Sequence, residues 1–412
     1  FPHISLPQSK RLKGVDVTHF SCLEPLSRFD ILFNRGTLQQ EQKAALSAAL
    51  NLSLSGTDAM SQKEILAKLD YYGVFTDFSH TNNHSTISIY STPEHIEEST
   101  SFILDCISKC TFNKQELNLY KQAKISQLKQ KKDKTSYLAT TELNKAFFND
   151  EHIKNPVSQA DYEALSTTIL KEQLEKTIKA KKDLYLISNT NNIEELNEIV
   201  LSYVPQGTTL HNGANSYSND FYLEHLTHEK AVQNSFRMRF PTIGKSHVDY
   251  PALVMANTML GGYFGSLLMK NIREEKGLTY GINSQIVADS KKGSIFIGSD
   301  IKINNAPLVL KEIKNEILKI KSGQISQDFF DKSKNYLRGV TSKKKDEVFS
   351  AFEKSKSILI NGLNHNYYEE LYYKIDELTL RQCVEASKKH LNLAKSVIIS
   401  CGPEQYETTD FV

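Results

Sequence analysis

The sequence predicts an α+β protein with two homologous domains, each a mostly antiparallel sheet covered by helices. Three observations support this fold class: a pattern that recurs at a constant offset, a polar segment near the middle of the chain, and the same order of strands and helices on both sides of that segment. The chain has 412 residues, a length sufficient for two or more domains that each bury a core.

The recurring pattern has an offset of 213 residues, as in the step from Lys132-Asp133 to Lys345-Asp346. The same offset relates three further pairs: Lys121 and Lys334, Leu165-Ser166 and Leu378-Thr379, and, more loosely, Phe148–His152 and Asn361–His365. Each match is weak alone, but an unchanged offset over about 45 residues indicates a duplicated chain.

A polar segment separates the two copies. It contains Pro205, Gly207 and Gly213 together with several Asn, Asp, Ser and Thr, a composition typical of an exposed connection. We therefore expect an N-terminal domain at 1–205, a linker at 206–220 and a C-terminal domain at 221–412.

The first domain contains a regular series of predicted elements. Ser61 and Glu64 form a capping box that begins a helix at Gln62–Tyr71, and Gly73 can end it. Apolar or alternating residues predict strands at Phe29–Phe33, Thr86–Tyr90 and Leu184–Ser188. Further helical segments are expected at Gln39–Leu54, Glu94–Cys110 and Gln115–Lys131.

The second domain repeats this order. Strands are predicted at Phe236–Phe240, Ser294–Gly298 and Ser396–Ser400, and a helix at Pro307–Ile320 begins with a proline, which suits a first helical turn. An amphipathic helix is expected at Ser266–Glu275. Gly277 would end it, and in the strand that follows Leu278, Tyr280 and Ile282 should share one face.

Composition excludes several classes of protein. The chain has 50 Lys and Arg against 48 Asp and Glu, and its basic runs are short and adjoin acids, so no nucleic-acid partner is expected. No apolar stretch approaches the 18 or so residues of a membrane span. The five cysteines are scattered along the chain, so we expect no disulfide framework.

Two histidine groups suggest metal binding at first sight but are better explained as polar strand residues. His80 and His84 lead into a strand, where residues four apart are separated by about 13 Å. Glu224, His225 and His228 occupy the presumed first strand of the second domain, where neighbouring side chains face opposite ways.

A glycine cluster marks the most specific segment of the sequence. Gly261, Gly262 and Gly265 allow the backbone to approach another chain, a ligand or a packed helix. Because no Gly-Lys-Ser/Thr follows, a phosphate-binding loop is not indicated.

Arg273 and Tyr280 lie seven residues apart across the helix-to-strand turn that follows the glycines. A guanidinium and a phenol placed in this way could converge and donate hydrogen bonds to a carbonyl or a developing oxyanion. The structural alternative pairs Arg273 with Glu275 or an aspartate and packs Tyr280 at the sheet edge.

The segment Gly261–Gly281 resembles the C-terminal-half signature of the pitrilysin/insulinase family of inverted-motif zinc peptidases, which includes mitochondrial processing peptidases and bacterial two-subunit homologues. The resemblance covers the whole chain, because family members also consist of two duplicated halves of this size. It implies that Arg273 and Tyr280 reach a zinc site and contact substrate, and that the loop of Gly261, Gly262 and Gly265 contacts the substrate chain.

The residues at the family's zinc-motif positions differ from the family pattern. Members carry H-x-x-E-H on a helix shortly before a Gly-Thr, so that two histidines face the metal and a glutamate activates the bound water. Counting back from Gly56-Thr57 places Ser47, Leu50 and Asn51 at these positions, and the further glutamate ligand falls on Gln127. No H-x-x-E-H or H-E-x-x-H occurs anywhere in the sequence, so the resemblance implies no metal and no cofactor in this chain.

The resemblance therefore implies a non-catalytic subunit of a heterodimeric zinc metalloendopeptidase, inactive alone. An H-x-x-E-H homologue would supply the zinc, and Arg273 and Tyr280 would act in trans on a peptide or an unfolded protein. The alternative is a catalytically silent structural or scaffold homologue. The chain begins with Phe1 rather than Met, which fits removal of a targeting segment and fits a trimmed chain equally well. We expect the bacterial periplasm or cell envelope, with the cytoplasm or the mitochondrial matrix as alternatives.

Overall fold

The computed structural model describes residues 7–208, 216–345, 348–407 and 409. The central part of the predicted linker, 209–215, and the repeat residue Asp346 lie outside the described residues. The elements of the first half are β1 (Gln8–Leu12), β2 (Val15–Ser21), β3 (Ser27–Phe33), α1 (Ala45–Asn51), α2 (Gln62–Tyr71), β4 (Phe75–His80), β5 (Ser85–Ser91), α3 (Ile96–Ser108), α4 (Lys114–Lys132), α5 (Thr135–Phe147), α6 (Glu151–Lys154), α7 (Gln159–Glu163), α8 (Thr167–Ile178), β6 (Lys182–Ser188) and α9 (Ile193–Tyr203).

The second half contains a π-helix at Met269–Glu275 in addition to its strands and α-helices. Short 3-10 helices lie at Thr37–Gln39 and Leu393–Lys395. The elements of the second half are β7 (Tyr222–Thr227), β8 (Asn234–Ile243), α10 (Tyr250–Gly261), β9 (Thr279–Ala288), β10 (Lys292–Ile301), α11 (Ala306–Ser322), α12 (Gln327–Lys345), α13 (Val348–Ile360), α14 (Tyr367–Glu377), α15 (Leu380–His390) and β11 (Val397–Gly402).

The first half forms a six-stranded mixed sheet in the order β1-β2-β6-β3-β5-β4. Strands β2 and β6 pair in parallel, and the other neighbours pair antiparallel. Strand β3 lies inside the sheet with all seven residues buried, although two of them are Arg28 and Asp30. Two buried charges need partners: Arg28 and Asp30 bond each other, and a helix described below supplies further charged partners.

The second half forms a five-stranded sheet in the order β7-β11-β8-β10-β9. Its one parallel pair is β7 with β11, and the rest is antiparallel. Strand for strand this is the order of the first sheet without β1. The predicted α+β fold of two sheets covered by helices is confirmed, and each sheet is mixed because of its parallel pair.

The helices repeat with the offset that the sequence showed. Helix α4 and helix α12 begin at residues 114 and 327, α5 and α13 at 135 and 348, and α8 and α15 at 167 and 380, each pair 213 residues apart. Helix α2 agrees with its prediction at both ends, and Ser61 and Glu64 form the predicted reciprocal capping box.

The compact units of the structure interleave the two halves. The first unit consists of the described residues within Phe1–Lys129, Val157–Ala214 and Lys345–Lys356. The second consists of those within Gln130–Pro156, Asn215–Lys344 and Ser357–Val412. Each unit therefore takes one helical segment from the other half of the sequence. The limits 1–205, 206–220 and 221–412 describe the repeat, and as domain limits they stay a prediction.

In the second unit the exchanged segment is α5, and its contact is apolar. Ala139, Leu143 and Phe147 of this helix pack in one buried cluster with Val397 and Ile399 of β11. An amphipathic helix is thus buried on β11, a strand of which every residue is buried.

In the first unit the exchanged segment is the beginning of α13, and its contact is partly charged. The ring of Phe352 lies edge-on to Phe20, with ring centroids 5.2 Å apart. Lys356 forms a salt bridge with Asp30, and Arg28 bonds both Asp30 and Glu353. The charges buried in β3 are therefore compensated by this helix.

Candidate functional site

Arg273 and Tyr280 line the same cleft, within the second unit. The cleft has a volume of about 670 Å³, and Val232, Asp300 and Ile303 also line it. The two residues approach it from different elements, Arg273 from the π-helix and Tyr280 from the beginning of β9. An arginine and a tyrosine that open into one cleft can donate hydrogen bonds to one ligand.

Arg273 is held by an aromatic ring instead of by an acid. Its guanidinium carbon lies 4.3 Å from the centroid of the Phe264 ring, a cation–π contact. Within the described parts of the chain, no carboxylate lies within 4.0 Å of this side chain, so the alternative of a pair with Glu275 or an aspartate is not what the fold contains. The N–H groups of the guanidinium remain available to a ligand.

Tyr280 points away from the core because of a β-bulge. Ile282 pairs with Ser299 and Thr279 pairs with Ile301, so Tyr280 and Gly281 together face the single residue Asp300. Tyr280 is 90% exposed. The prediction that Tyr280 shares a face with Leu278 and Ile282 is wrong, because the extra residue changes the alternation of the strand.

Two side chains fix the bulge. The hydroxyl of Thr279 donates to the carbonyl of Asp300 at 2.6 Å, and the hydroxyl of Ser299 donates to the carbonyl of Gly281 at 2.9 Å. Both hydroxyls are buried within the sheet. Local hydrogen bonds of this kind replace the ladder bonds that a bulge removes.

A helix is present over most of the predicted range Ser266–Glu275, and its part Met269–Glu275 is a π-helix. The N–H of Lys276 donates to the carbonyl of Asn271, five residues back, at 3.0 Å. The wider turn of a π-helix changes the directions of the side chains it carries, and Arg273 is one of them.

Buried polar contacts anchor this π-helix on α11. The side-chain amide of Asn271 donates to Glu312 at 2.8 Å and also to Glu316, which is 1% exposed. Lys276 donates to the amide oxygen of Asn271 at 2.7 Å, and Lys319 lies 2.7 Å from Glu316. Burial raises the pKa of Glu312, but its bonds from Asn271 and Lys276 outweigh burial, so that this pKa is lowered overall. This network was not predicted from the sequence, in which its signal is a polar Asn271 at a core position of the helix.

The three glycines of the signature have different surroundings. Gly261 is buried, and a Cβ there would lie 2.7 Å from the backbone nitrogen of Ser284 in β9. A Cβ on Gly262 would meet the Cα of Thr258 at 2.7 Å, and one on Gly265 would meet the ring of Tyr263 at 2.7 Å. Close packing against backbone explains Gly261 and Gly262, whereas the Tyr263 side chain beside Gly265 can turn away; contact of this loop with substrate stays a prediction.

In the first unit, the positions of the family's zinc motif lie on α1. Leu50 is buried in the core, Ser47 is half-buried and Asn51 is exposed. The amide of Asn51 donates to the carbonyl of Ser47 at 2.7 Å. The expected helix Gln39–Leu54 is wrong in extent, since α1 spans Ala45–Asn51.

The side chain of α4 that reaches α1 is Tyr120, not Gln127. Tyr120 places its hydroxyl 3.4 Å from the hydroxyl of Ser47, whereas Gln127 is exposed two turns further along. The ammonium of Lys124 lies 5.3 Å from the Tyr120 ring centroid. Burial raises the pKa of the Tyr120 hydroxyl, which keeps this oxygen neutral.

These residues do not suit a zinc ion. Zinc in proteins is bound by thiolate, imidazole and carboxylate groups, and α1 and α4 offer hydroxyls, an amide and a leucine. The nearby ammonium of Lys124 would also repel a cation. The donor set of this part of the first unit therefore fits no metal.

Both histidine groups that suggested metal binding take part in hydrogen bonds of the fold. The N–H of Thr81 donates to the carbonyl of His84 at 2.8 Å, which closes a hairpin turn between β4 and β5. The estimate of 13 Å between His80 and His84 is therefore wrong, because they flank a turn and are not in one extended strand. His225 lies on β7 as expected, where its ring nitrogens bond Ser400 and the carbonyl of Glu404.

Comparison with known proteins identifies the relatives of this chain. A family described as "Peptidase M16 inactive domain" matches residues 210–337. The chain is 20% identical over 376 residues to "Non-peptidase homolog YmxG" of Helicobacter pylori, across 87% of this chain and 84% of that protein. It is 24% identical over 272 residues to "Probable inactive metalloprotease YmfF" of Bacillus subtilis, across 63% and 58%.

The fold also matches solved structures. A crystal structure of a peptidase M16 inactive domain from Pseudomonas fluorescens superposes with a TM-score of 0.85 at 20% identity, covering 98% of this chain and 99% of that one. Fold and site thus define a duplicated metallopeptidase-type protein whose zinc-ligand positions carry other residues. Residues 210–337 match the model of the peptidase M16 inactive domain, and the relatives support the likeness to inactive members of the pitrilysin family that the sequence predicted. No helix in the described residues is long and apolar enough to cross a membrane.

Proposed function

We propose that this chain is the non-catalytic subunit of a two-chain zinc metalloendopeptidase and supplies Arg273 and Tyr280 to its partner's active site. The partner is an H-x-x-E-H member of the same family, which holds the zinc and the general base. The substrate is an extended peptide or an unfolded protein. On this proposal the chain has no peptidase activity alone.

The observation that carries the proposal is the common cleft of Arg273 and Tyr280. Both side chains are directed to it by irregular backbone, a π-helix for Arg273 and a β-bulge for Tyr280. Such irregularities cost stability and are concentrated at functional sites. A scaffold protein has no physical need for an arginine without a carboxylate partner among the described residues, beside a 90% exposed tyrosine.

The chemical role of the pair follows from its hydrogen-bond donors. The guanidinium of Arg273 and the hydroxyl of Tyr280 can both donate to the carbonyl oxygen of the scissile peptide. As that oxygen gains negative charge during attack, both bonds strengthen, which lowers the barrier. One such donor contributes on the order of 3 kcal/mol to the transition state.

The test is peptide cleavage by the chain, its H-x-x-E-H partner and the complex of the two, assayed separately with an unstructured fluorogenic peptide. We expect cleavage by the complex only. Arg273→Ala and Tyr280→Phe should each lower kcat of the complex by about 10²-fold without preventing assembly. Lys270→Ala, an exposed change on the same π-helix, is the matched control. If the complex with Arg273→Ala and the complex with Tyr280→Phe both cleave the peptide at the wild-type rate, the proposal is refuted.

The description of the Helicobacter pylori relative as a "Non-peptidase homolog" supports a second candidate, a scaffold without a role in proteolysis. The same assay separates the two candidates. A scaffold would bind its partner and leave the kcat of that partner unchanged, with wild-type and variant chains alike.

A bacterial periplasmic or cell-envelope location is part of our proposal. Fractionation of cells followed by immunoblotting of this chain tests it. Recovery with cytoplasmic markers alone would contradict this part and leave the proposed chemistry untouched.

A further inference from the structure

Three potential metal ligands meet at the surface of the second unit. His247 and Asp249 lie immediately before α10, and His390 is the last residue of α15, which packs on α10. One ligand atom from each side chain can be chosen so that all three lie within 4.8 Å of one another. Among the described residues, this is the group of at least three His, Cys, Asp or Glu side chains whose ligand atoms are close enough to hold one metal ion.

The hydrogen bonds of Asp249 indicate that its carboxylate belongs to this cluster. Asp249 is the N-cap residue of α10, where an aspartate ordinarily accepts a hydrogen bond from the first helical turn. Its side chain makes no capping bond. Instead, one carboxylate oxygen lies 2.8 Å from Nε2 of His390.

The two imidazoles are also held close together. Their ring centroids are 5.1 Å apart at an interplanar angle of 76°. The N–H of Asp249 donates to Nδ1 of His247 at 3.0 Å, which orients that ring beside the carboxylate. The rings and the carboxylate therefore converge before any ion is present.

We propose that His247, Asp249 and His390 bind one divalent transition-metal ion of the Zn²⁺, Ni²⁺ or Cu²⁺ class, with water completing the coordination. Two imidazoles and a carboxylate are a suitable set for these borderline ions, whereas Mg²⁺ and Ca²⁺ prefer oxygen ligands. Ligands of a tetrahedral Zn²⁺ are about 3.4 Å apart, because each bond is about 2.0–2.1 Å long.

Reaching this geometry from the metal-free arrangement takes shifts of at most about 1.4 Å between ligand atoms, which lie within 4.8 Å of one another. The pair formed by His390 and Asp249 must open by less than an ångström to admit the ion. His247 must give up the bond from the N–H of Asp249, and Lys389, whose ammonium lies 3.5 Å from the same carboxylate, must turn away. The side chain of Lys389 is 62% exposed, so its movement into water is inexpensive.

The ion would connect the beginning of α10 to the end of α15. None of the three ligands lines the cleft of Arg273 and Tyr280, so the proposal does not depend on the proposed function. Because the ligands are arranged only in the folded chain, the ion should stabilise the folded state by mass action.

The experiment is isothermal titration calorimetry, in which ZnCl₂ is added to the full chain after treatment with a chelator. We expect one saturable site. The double variant His247→Gln/His390→Gln should bind Zn²⁺ at least tenfold more weakly, and Zn²⁺ should raise the melting temperature of the wild type only. His365→Gln, an exposed histidine elsewhere in the same unit, is the matched control and should bind as the wild type does.

A second measurement remains informative if loss of His390 disturbs the fold. In the single variant His247→Gln the bond between His390 and Asp249 is kept. The electron paramagnetic resonance spectrum of bound Cu²⁺ should show two nitrogen ligands in the wild type and one in His247→Gln. Absence of saturable Zn²⁺ binding to the wild type would overturn the proposal, as would equal affinity in the double variant or an identical Cu²⁺ spectrum in His247→Gln.

Discussion

Among single residues, Gly261 marks the closest approach of α10 to strand β9. A Cβ at this position would lie 2.7 Å from the backbone nitrogen of Ser284, and backbone atoms cannot yield as a flexible side chain can. We expect Gly261→Ala to lower the free energy of unfolding by about 1–3 kcal/mol, because of overpacking. Urea denaturation of the purified chain measures this change.

Gly339 provides the opposite control. It lies on the exposed face of α12, and a Cβ there would meet nothing within 4 Å. Gly339→Ala should raise the free energy of unfolding by about 0.5–1 kcal/mol, as alanine favours the helix. If Gly261→Ala and Gly339→Ala had the same free energy of unfolding, a methyl group at position 261 would cause no overpacking.

Lys182 gives a prediction about pH. The side chain is fully buried, and its ammonium donates to the carbonyl of Val204 at 3.1 Å and to that of Pro205. Burial lowers its pKa from 10.5 to about 8. Between these two values the unfolded chain binds the proton and the folded chain does not, so the contribution of Lys182 to stability increases as the pH rises through this window.

The measurement compares wild type with Lys182→Met, so that other titrating groups cancel. The free energy of unfolding of the wild type, minus that of the variant, should increase by about 1.4 kcal/mol per pH unit between pH 8 and pH 10. A difference that stays constant across this range would contradict the lowered pKa.

For single residues, the sequence predicted the role of side chains whose chemistry can be read from nearby residues. It did not predict side-chain positions that depend on contacts with distant parts of the chain. It singled out Arg273 and Tyr280, and the structure brings both to one cleft. It placed Tyr280 on the wrong face, because a bulge depends on buried hydroxyls of two different strands. It pointed to Gln127 by counting, whereas the contact of α4 with Ser47 comes from Tyr120.

Among the elements, the π-helix Met269–Glu275 depends on Asn271. The amide of this residue bonds two glutamates of α11, of which Glu316 is almost fully buried. We expect Asn271→Ala to lower the free energy of unfolding by about 2–4 kcal/mol, because a buried carboxylate loses its donor. Lys270→Ala, an exposed neighbour, should change stability by less than about 0.5 kcal/mol.

This prediction has a readout in the complex as well. If the π-helix directs Arg273, Asn271→Ala should lower kcat in the proposed two-chain peptidase more than Lys270→Ala does. Unchanged unfolding of Asn271→Ala in chemical denaturation would contradict the anchoring role of the amide.

Elements with local signals agree with their predictions, and elements that depend on tertiary contacts do not. The capping box of α2 fixed both ends of that helix correctly. The helix expected at Gln39–Leu54 is shortened because Ala44 has a positive φ of 67° and the side chain of Gln40 accepts the N–H of Leu46. The π-helix was not predicted, because its cause lies 41 and 45 residues away in Glu312 and Glu316.

In the molecule as a whole, the buried charges of β3 depend on a helix from the other half of the chain. Asp30 is fully buried between Arg28 and Lys356. We expect Lys356→Met to lower the free energy of unfolding by about 3 kcal/mol, because Asp30 and Glu353 lose a buried counter-charge. Thermal and urea unfolding of the full chain measure this loss.

Lys311→Met is the control for loss of a lysine charge. Lys311 is exposed on α11, and its replacement should be neutral within about 0.5 kcal/mol. A Lys356→Met chain as stable as the control would show that Arg28 alone compensates Asp30.

The exchange of α5 and the beginning of α13 also has a consequence for a divided chain. Each compact unit contains a helical segment from the other half of the sequence. Two halves produced separately would each lack the helix that their own sheet buries, and they would have to associate to regain it. A single polypeptide supplies both helices at any dilution.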